Sequence, residues 1–275
     1  MTEATAVVSK ERALYLQKVR RRKNRIRFTQ ITILLAILSL WEILAQVGII
    51  DSFVMSQPSR IAKTFLNAAQ NGLALHIGVT CLETLIGFLA GVMLGVGIAI
   101  LLWWSPFLSK VSEPYLVVLN SLPKIALGPV IIIWVGAGMQ AIIVMALAIS
   151  LIVTVMEMLN GFLATDPETM KMARTFGASR MQLFSKIVFP SNLHTLFNSL
   201  KVNIGLSLVG VIAGEFLVSK AGLGYLIVYG GQVFQMDLVM ASVIILAVLA
   251  ALLYEVVVII ELLVTRHLGH RLRGH

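Results

Sequence analysis

Charge is scarce in this chain. Only 13% of its 275 residues are Asp, Glu, Lys or Arg, 58% are hydrophobic, and the mean hydropathy is +0.92. A soluble domain needs more charge than this to clothe its surface. Cysteine is nearly missing: Cys81 stands alone, so no internal disulfide is possible. The phosphate-cradling pattern GxxxxGK[ST] does not occur, which excludes ATP hydrolysis by this chain itself. No nucleophile–base pair is evident. His267, His270 and His275 sit in a basic tail without the further ligands a zinc site needs. The apolar stretches are continuous rather than alternating, which excludes a membrane barrel. No internal repeat is visible, so the chain has no second half to build an opposing wall. Together these absences argue against an enzyme and against any catalytic, metal or resident cofactor site.

What is present is a set of apolar runs, each close to the ~20 residues that cross a hydrocarbon core of ~30 Å. Six are expected, at about 28–48, 77–102, 114–136, 138–161, 196–218 and 238–264. The net charge of +9 is concentrated. Lys10, Arg12, Lys18, Arg20, Arg21, Arg22, Lys23, Arg25 and Arg27 all precede the first run. Beside a membrane span such a cluster fixes topology rather than binding nucleic acid. The stretch is too long and too charged for a cleaved signal peptide, and no small-residue cleavage site follows it. The positive-inside rule then puts the N-terminus in the cytoplasm, and an even number of spans returns the C-terminus there. Arg266, Arg271 and Arg273 in the tail agree, as do Lys171, Arg174, Arg180 and Lys186 in the 162–195 loop, whereas loops 49–76 and 219–237 carry few cations. The expected organisation is a basic cytoplasmic segment at 1–27, a six-helix domain at 28–265 and a cytoplasmic tail at 266–275.

Several residues inside these runs need an account. Gly87, Gly91 and Gly95 recur every four residues, the small-xxx-small spacing that lets helix backbones approach. Adding Gly97 yields only a faint dinucleotide-type fingerprint, which the missing strand rules out. The third run is interrupted by Pro114, Pro123, Gly128 and Pro129, with Asn120, Ser121 and Lys124 among them. Proline removes a donor and kinks a helix, and irregular backbone at membrane depth is tolerated only against protein or a wet cavity. An ionisable group there costs ~2.5–3.5 kcal/mol even on insertion scales, so Glu83, Lys124, Glu157 and Glu215 are singled out. Lys124 suits an anionic solute; the alternatives are a structural ion pair, or a lysine near a cytoplasmic mouth if the third span is broken. Glu215 lies near the outer end of span 5, before Gly222, Leu223 and Gly224, and reads as a gate or helix junction; Glu83 lies at a similar depth. Asn198, Asn203 and Ser207 roughly share one side of span 5, either as a wet face or as interhelical hydrogen bonders. Asn120, Lys124, Asn203, Ser207 and Glu215 are the candidate pathway residues.

The most informative stretch is polar: DPETMKMARTFGASRMQLFSKIVFP, at 166–190. Asp166 followed by Pro167 is a helix start. Met172, Phe176, Leu183, Phe184 and Ile187 recur at three- or four-residue steps and form one apolar face, with Arg174, Arg180 and Lys186 largely off it. Gly177 reads as a helix C-cap, Ser179 with Gln182 as a capping box, and Pro190 as the end. The expected unit is helix, tight turn, helix. Amphipathicity alone leaves two readings open, a hairpin lying on lipid and a docking surface for a partner.

This stretch resembles the loop motif of binding-protein-dependent ABC importer permeases, written EAA, three residues, Gly, nine residues, I-x-L-P. Ala173, Gly177, Ile187 and Pro190 match its spacing; Lys171 replaces the acid, Met172 an alanine and Phe189 the leucine. LPKIALGPVIIIWVGAG at 122–138 and GEFLVSKAGLGYLI at 214–227 look like the subgroup that imports nitrate, sulfonates or taurine. Glu83 departs from the basic residue expected of many sulfonate permeases. The resemblance implies an all-α, six-span type I importer (MetI-like) fold in a bacterial inner membrane. It implies that Lys171, Met172, Ala173, Arg174, Phe176, Gly177, Ala178, Ser179, Arg180, Ile187 and Pro190 form the surface that couples to an ATPase. It also implies a pair of ATPase subunits binding ATP and Mg, a second permease copy, most simply as a homodimer, and an extracytoplasmic solute-binding protein. The expected cargo is a small anion of the nitrate, alkanesulfonate or taurine type. A vitamin precursor, such as a hydroxymethylpyrimidine-type thiamine precursor or riboflavin, is the alternative. A stand-alone secondary carrier is the rival of another class, disfavoured by the missing inverted repeat and by the docking loop.

Overall fold

The structure, a computed structural model, describes residues 10–272, with side chains from 15 to 266. The side chains of Lys10, Arg12, His267, His270, Arg271, Arg273 and His275 lie outside the described residues. Every regular element among those described is helical. Two compact units are formed, Met1–Thr64 and Phe65–His275.

The first unit is dominated by α1 (Lys10–Gln46). At 1.5 Å per residue its length is ~55 Å, well beyond a hydrocarbon core of ~30 Å. The helix therefore runs straight through the expected boundary at 27/28: the basic residues extend the same helix that carries the apolar run, and Lys18 to Arg27 are all exposed. Residues 49–76, read as a loop, contain α2 (Ser52–Met55) and α3 (Pro58–Gln70). Asp51 caps α2 by accepting from the Phe53 amide at 2.8 Å. Glu42 on α1 accepts from the Ser59 amide at 3.0 Å and the Ser59 hydroxyl at 2.8 Å, fastening the start of α3.

The second unit is a bundle built on α7 (Met139–Leu163). On one side lies α4 (Leu73–Trp104), on the other α11 (Leu193–Val218). Gly87, Gly91 and Gly95 of α4 oppose Ala146, Ser150 and Thr154, so these two helices run parallel in register. Gly210 and Gly214 of α11 oppose Ala146 and Ile142, so α11 runs antiparallel to α7. A Cβ at Gly87 would stand 2.6 Å from the Ala146 Cβ, and one at Gly210 would stand 2.5 Å from the Ala146 Cα. Ala146 is thus pinched between glycines of two helices, the small-residue contact by which helices associate where lipid removes the hydrophobic drive. Ser150 and Thr154 donate to carbonyls one turn back, at 3.0 Å each, and so bring no unsatisfied hydroxyl into the seam.

The third span is broken. α5 (Pro106–Ser121) leads through Leu122 and Pro123 into a 3-10 turn at Lys124–Leu127 and then α6 (Gly128–Val135), and the two arms bend by 85°. The span starts at Pro106, not near 114, because Ser105 caps it: its hydroxyl accepts from the Leu108 amide at 3.3 Å. Pro114 lies inside α5 without ending it; the break falls at Pro123, where the Leu122 backbone is extended, as a residue before proline must be. Residues 219–237 are not a plain loop but carry α12 (Leu223–Gln232). The last span, α13 (Met236–Leu272), continues past the expected boundary at 265. Among the described residues five continuous helices are long and apolar enough to cross a membrane, and the count is six if the bent pair forms one broken span.

Overpacking tests the seam. Gly210→Val is expected to lower the melting temperature of the detergent-solubilised chain by the equivalent of ~1–3 kcal/mol. Gly97→Ala, whose added Cβ meets nothing within 4 Å, is expected to leave it unchanged.

Candidate functional site

The polar stretch folds as its local chemistry requires. α8 (Pro167–Thr175) is capped by Asp166, which accepts from the Glu168 and Thr169 amides at 3.1 Å each and also from the Thr169 hydroxyl. Pro167 takes the first position, where no amide hydrogen is needed. The helix stops at Gly177, whose φ of +81° is open to glycine without strain, and the Ala178 amide returns to the Ala173 carbonyl at 3.1 Å. A second helix, α9 (Arg180–Leu183), opens on a complete capping box. The Ser179 hydroxyl accepts from the Gln182 amide at 3.3 Å, and the Gln182 side chain accepts from the Ser179 amide at 2.8 Å.

The apolar residues of this stretch do not form one face. The turn at Gly177 divides them. Leu183 and Phe184 are buried and Ile187 is half-buried, whereas Met172 is 58% and Phe176 is 85% exposed. Phe184 lies 5.1 Å from the Trp103 ring and 5.4 Å from the Phe162 ring, so the second helix is rooted in the ends of α4 and α7. The Arg180 guanidinium sits over Trp103 at 5.9 Å, within reach of a cation–π contact. Pro190 does not terminate the helix. A π turn at Phe184–Val188 shifts the register, α10 (Phe189–Ser191) follows, and the break comes at Asn192, whose side chain donates to the Val188 carbonyl at 2.8 Å. Lys171, Arg174, Ser179 and Arg180 are exposed, and Ala173 and Ala178 are half-buried. The result is a projecting knob with a bare aromatic tip and a buried base.

The pathway residues scatter. Asn120 is exposed at the end of α5, and Lys124 in the break donates to the Asn120 carbonyl at 3.0 Å. Just beyond Lys124, Ile125, Ala126 and Pro129 line an open apolar cavity of about 690 Å³, bordered also by Leu208, Ile212 and Phe216 of α11 and Leu246 of α13. Asn203 and Ser207 are fully buried and do not line it. Asn203 donates to the Ser199 carbonyl at 2.9 Å on its own helix. Asn198 is exposed and bonds His194, so it does not share a side with Asn203; five residues turn a helix by ~140°. Glu157 is half-buried, with Oε2 unpartnered among the described residues. Lys201 on α11 and Glu261 on α13, which sequence reading passed over, form an ion pair at 2.5 Å.

Glu215 is the centre of a junction. Its Oε1 accepts from the Thr80 hydroxyl at 2.6 Å and its Oε2 from the Gly224 amide at 2.5 Å. Thr80 in turn accepts from the Leu223 amide at 2.8 Å, and His76 Nδ1 accepts from the Gly222 amide at 3.0 Å. Any Cβ at Gly222 would fall 2.4 Å from the Glu215 carboxyl, and Gly222 holds a φ of +120°; both constraints require glycine. The carboxyl thus sits at the amino end of α12, where backbone amides and the helix dipole favour an anion. His76, Thr80 and Glu83 lie four and three residues apart on α4. That spacing on one helix face was the available signal that they act together.

Residues 87–273 match the family described as binding-protein-dependent transport system inner membrane component. The chain is 27% identical to the putative aliphatic sulfonates transport permease protein SsuC of Bacillus subtilis strain 168, over 82% of each chain. It is also 27% identical to the riboflavin transport system permease protein RibX of Chloroflexus aurantiacus, over 85% of this chain and 87% of that one. Among solved structures it resembles a chain of the MetNI methionine ABC transporter in an inward-facing conformation. There the TM-score is 0.63 at 19% identity, over 70% of this chain and 96% of that chain.

The α8 cap is testable by pH. Hydrogen bonds from Thr169, and then from the Glu168 amide, hold the Asp166 carboxyl below the usual carboxylate range. A depressed folded-state value means the contribution is complete above the unfolded value and is lost as pH falls through the folded one. Hydrogen exchange at the Glu168 and Thr169 amides is expected to be slower than in Asp166→Ala at neutral pH, with the difference vanishing in acid.

Proposed function

The chain belongs to the family of binding-protein-dependent transport system inner membrane components, and from that premise we propose how this member couples and what it carries. It is a multi-pass permease subunit of an ABC importer, a transport subunit rather than an enzyme. In the proposed reading, residues 166–190 face the cytoplasm together with both termini, and each loop docks on one subunit of an ATPase pair. ATP and Mg belong to that pair. Two copies of this chain enclose the route, and a solute-binding protein delivers cargo at the opposite face.

The observation that carries the reading is the projecting knob, with Phe176 and Met172 bare at its tip while Phe184 is buried at its base. A lone apolar aromatic held out by a capped helix and a glycine turn fits a groove in a partner. A hairpin lying on lipid would instead keep Leu183 and Phe184 on the same exposed face as Phe176. The buried base explains how force would enter: displacement of α9 is transmitted through Phe184 to Trp103 and Phe162, hence to α4 and α7. Nucleotide-driven closure would favour one arrangement of the spans only through contacts that differ between the two states.

For cargo, the sulfonate-transporting relative and Lys124, the sequence neighbour of the cavity-lining Ile125, support a small organic anion. The apolar lining of that cavity and the riboflavin-transporting relative favour a second reading, a neutral vitamin precursor. Identifying the solute held by the binding protein that co-purifies with the complex separates them.

Two outcomes test the coupling proposal. Phe176→Cys is expected to crosslink to the co-expressed ATPase in at least one nucleotide state; capture in none would count decisively against docking. Gly177→Leu meets open space but a φ that L-residues resist, at ~1–2 kcal/mol. It is expected to lower ATP-driven uptake on the order of tenfold, as ~1.4 kcal/mol of lost docking would, with membrane insertion unchanged.

A further inference from the structure

Glu83 and Glu215 are each only 2% exposed, and their carboxyl groups are in hydrogen-bond contact with each other. A carboxylate has no donor, so such a contact needs a hydrogen on one of the two. The surrounding bonds say which one carries it. Thr80 accepts from the Leu223 amide, so its single hydroxyl hydrogen goes to Glu215 Oε1. Glu215 Oε2 accepts from the Gly224 amide, and the Tyr225 amide adds a further donor. Every partner of Glu215 on the α4 and α12 sides therefore donates, and Glu215 is the acceptor throughout. Glu83 has no such supply: its Oε2 is buried with no partner among the described residues.

Among the described residues neither carboxyl forms an ion pair, and Lys201 is committed to Glu261. Lys220, in the turn between α11 and α12, is exposed. His76 accepts the Gly222 amide at Nδ1, which requires a ring nitrogen without a hydrogen and hence a neutral imidazole.

We propose that Glu83 is a neutral carboxylic acid whose hydroxyl donates to the Glu215 carboxylate, making a single proton the structural ligand of the junction between α4, α11 and α12. With that proton in place, Glu215 carries the one negative charge that the amino end of α12 neutralises, and Glu83 closes its remaining side. Without it, two like charges would be in contact away from water, the arrangement in which paired carboxylates cannot both ionise. The 219–224 turn, which reaches α4 only through Thr80 and His76 in the bonds described, would then be pushed off. This assignment rests on the hydrogen-bond pattern alone and stands whatever the cargo.

Infrared spectroscopy of the full-length chain in nanodiscs at neutral pH reads the proton directly. Wild type is expected to show the C=O stretch of a protonated, slowly deuterium-exchanging carboxylic acid. Glu83→Gln, whose amide N–H replaces the hydroxyl as donor, is expected to lose that band and keep the wild-type melting temperature. Glu83→Ala, which leaves Glu215 without that donor, is expected to melt several degrees lower. Absence of the band in wild type overturns the proposal without recourse to any variant, including the case in which a bound metal cation bridges two carboxylates. A band undiminished in Glu83→Gln also overturns it.

Discussion

The close approach of three helices at Ala146 is the contact on which the rest of the bundle depends. Lipid offers apolar side chains no worse an environment than protein does, so the spans are not driven together by burial of hydrophobic area. They associate where backbones can come near enough for dispersion contacts to accumulate. Gly87 on one side and Gly210 on the other remove the side chains that would hold α4 and α11 away from α7. Because α4 is parallel to α7 and α11 antiparallel, this single pinch sets the relative height of all three helices. Everything placed by height then follows: the aromatic base under the knob at one end, and the Glu215 junction at the other.

The two ends solve different problems with similar means. At the knob, a glycine turn and two capped helices hold an aromatic side chain out of the bundle, while a second aromatic is driven in among Trp103 and Phe162. At the junction, glycines again make space, but for a carboxylate rather than a turn. Gly222 and Gly224 let the amino end of α12 close on Glu215, and Thr80 relays the Leu223 amide to the same group. The buried charge is tolerated because backbone donors and a helix dipole meet it, which is the condition for any charge at membrane depth. The broken third span stands between these ends, with its bend at Pro123 and the apolar cavity beside it. The bundle is loosely filled there, and the space is bounded by α11, which also bears the junction.

Much of the loop was readable residue by residue. Asp166 before Pro167, Gly177, and Ser179 with Gln182 all took the roles their spacing dictates, because caps and turns are closed by hydrogen bonds between residues two or three apart. The small-residue spacing on α4 was readable as packing, and the proline cluster as a broken span. The single apolar face across Gly177 was not a sound reading, since helical periodicity holds only while the helix continues and a left-handed glycine resets it. The common side for Asn198 and Asn203 failed for a simpler reason: a step of five residues carries a side chain most of the way round the helix. Pro190 was misplaced as an end because a π turn before it shifted the register, and such a turn leaves no distinct mark in the residues.

The chain's composition and order by themselves determined that it is a helical membrane protein with five or six membrane-crossing segments and a capped, polar loop before the last two. Those properties depend on apolar length and short-range bonds, which a linear reading contains. The tertiary structure alone decided that Ala146 is gripped from two sides, that Phe184 is the root of the knob and Phe176 its tip, and that Glu83 meets Glu215. Each of these joins residues far apart in the chain, and their meeting is set by the register of packed helices. A shift of a few residues along one axis would separate them while leaving every local signal unchanged.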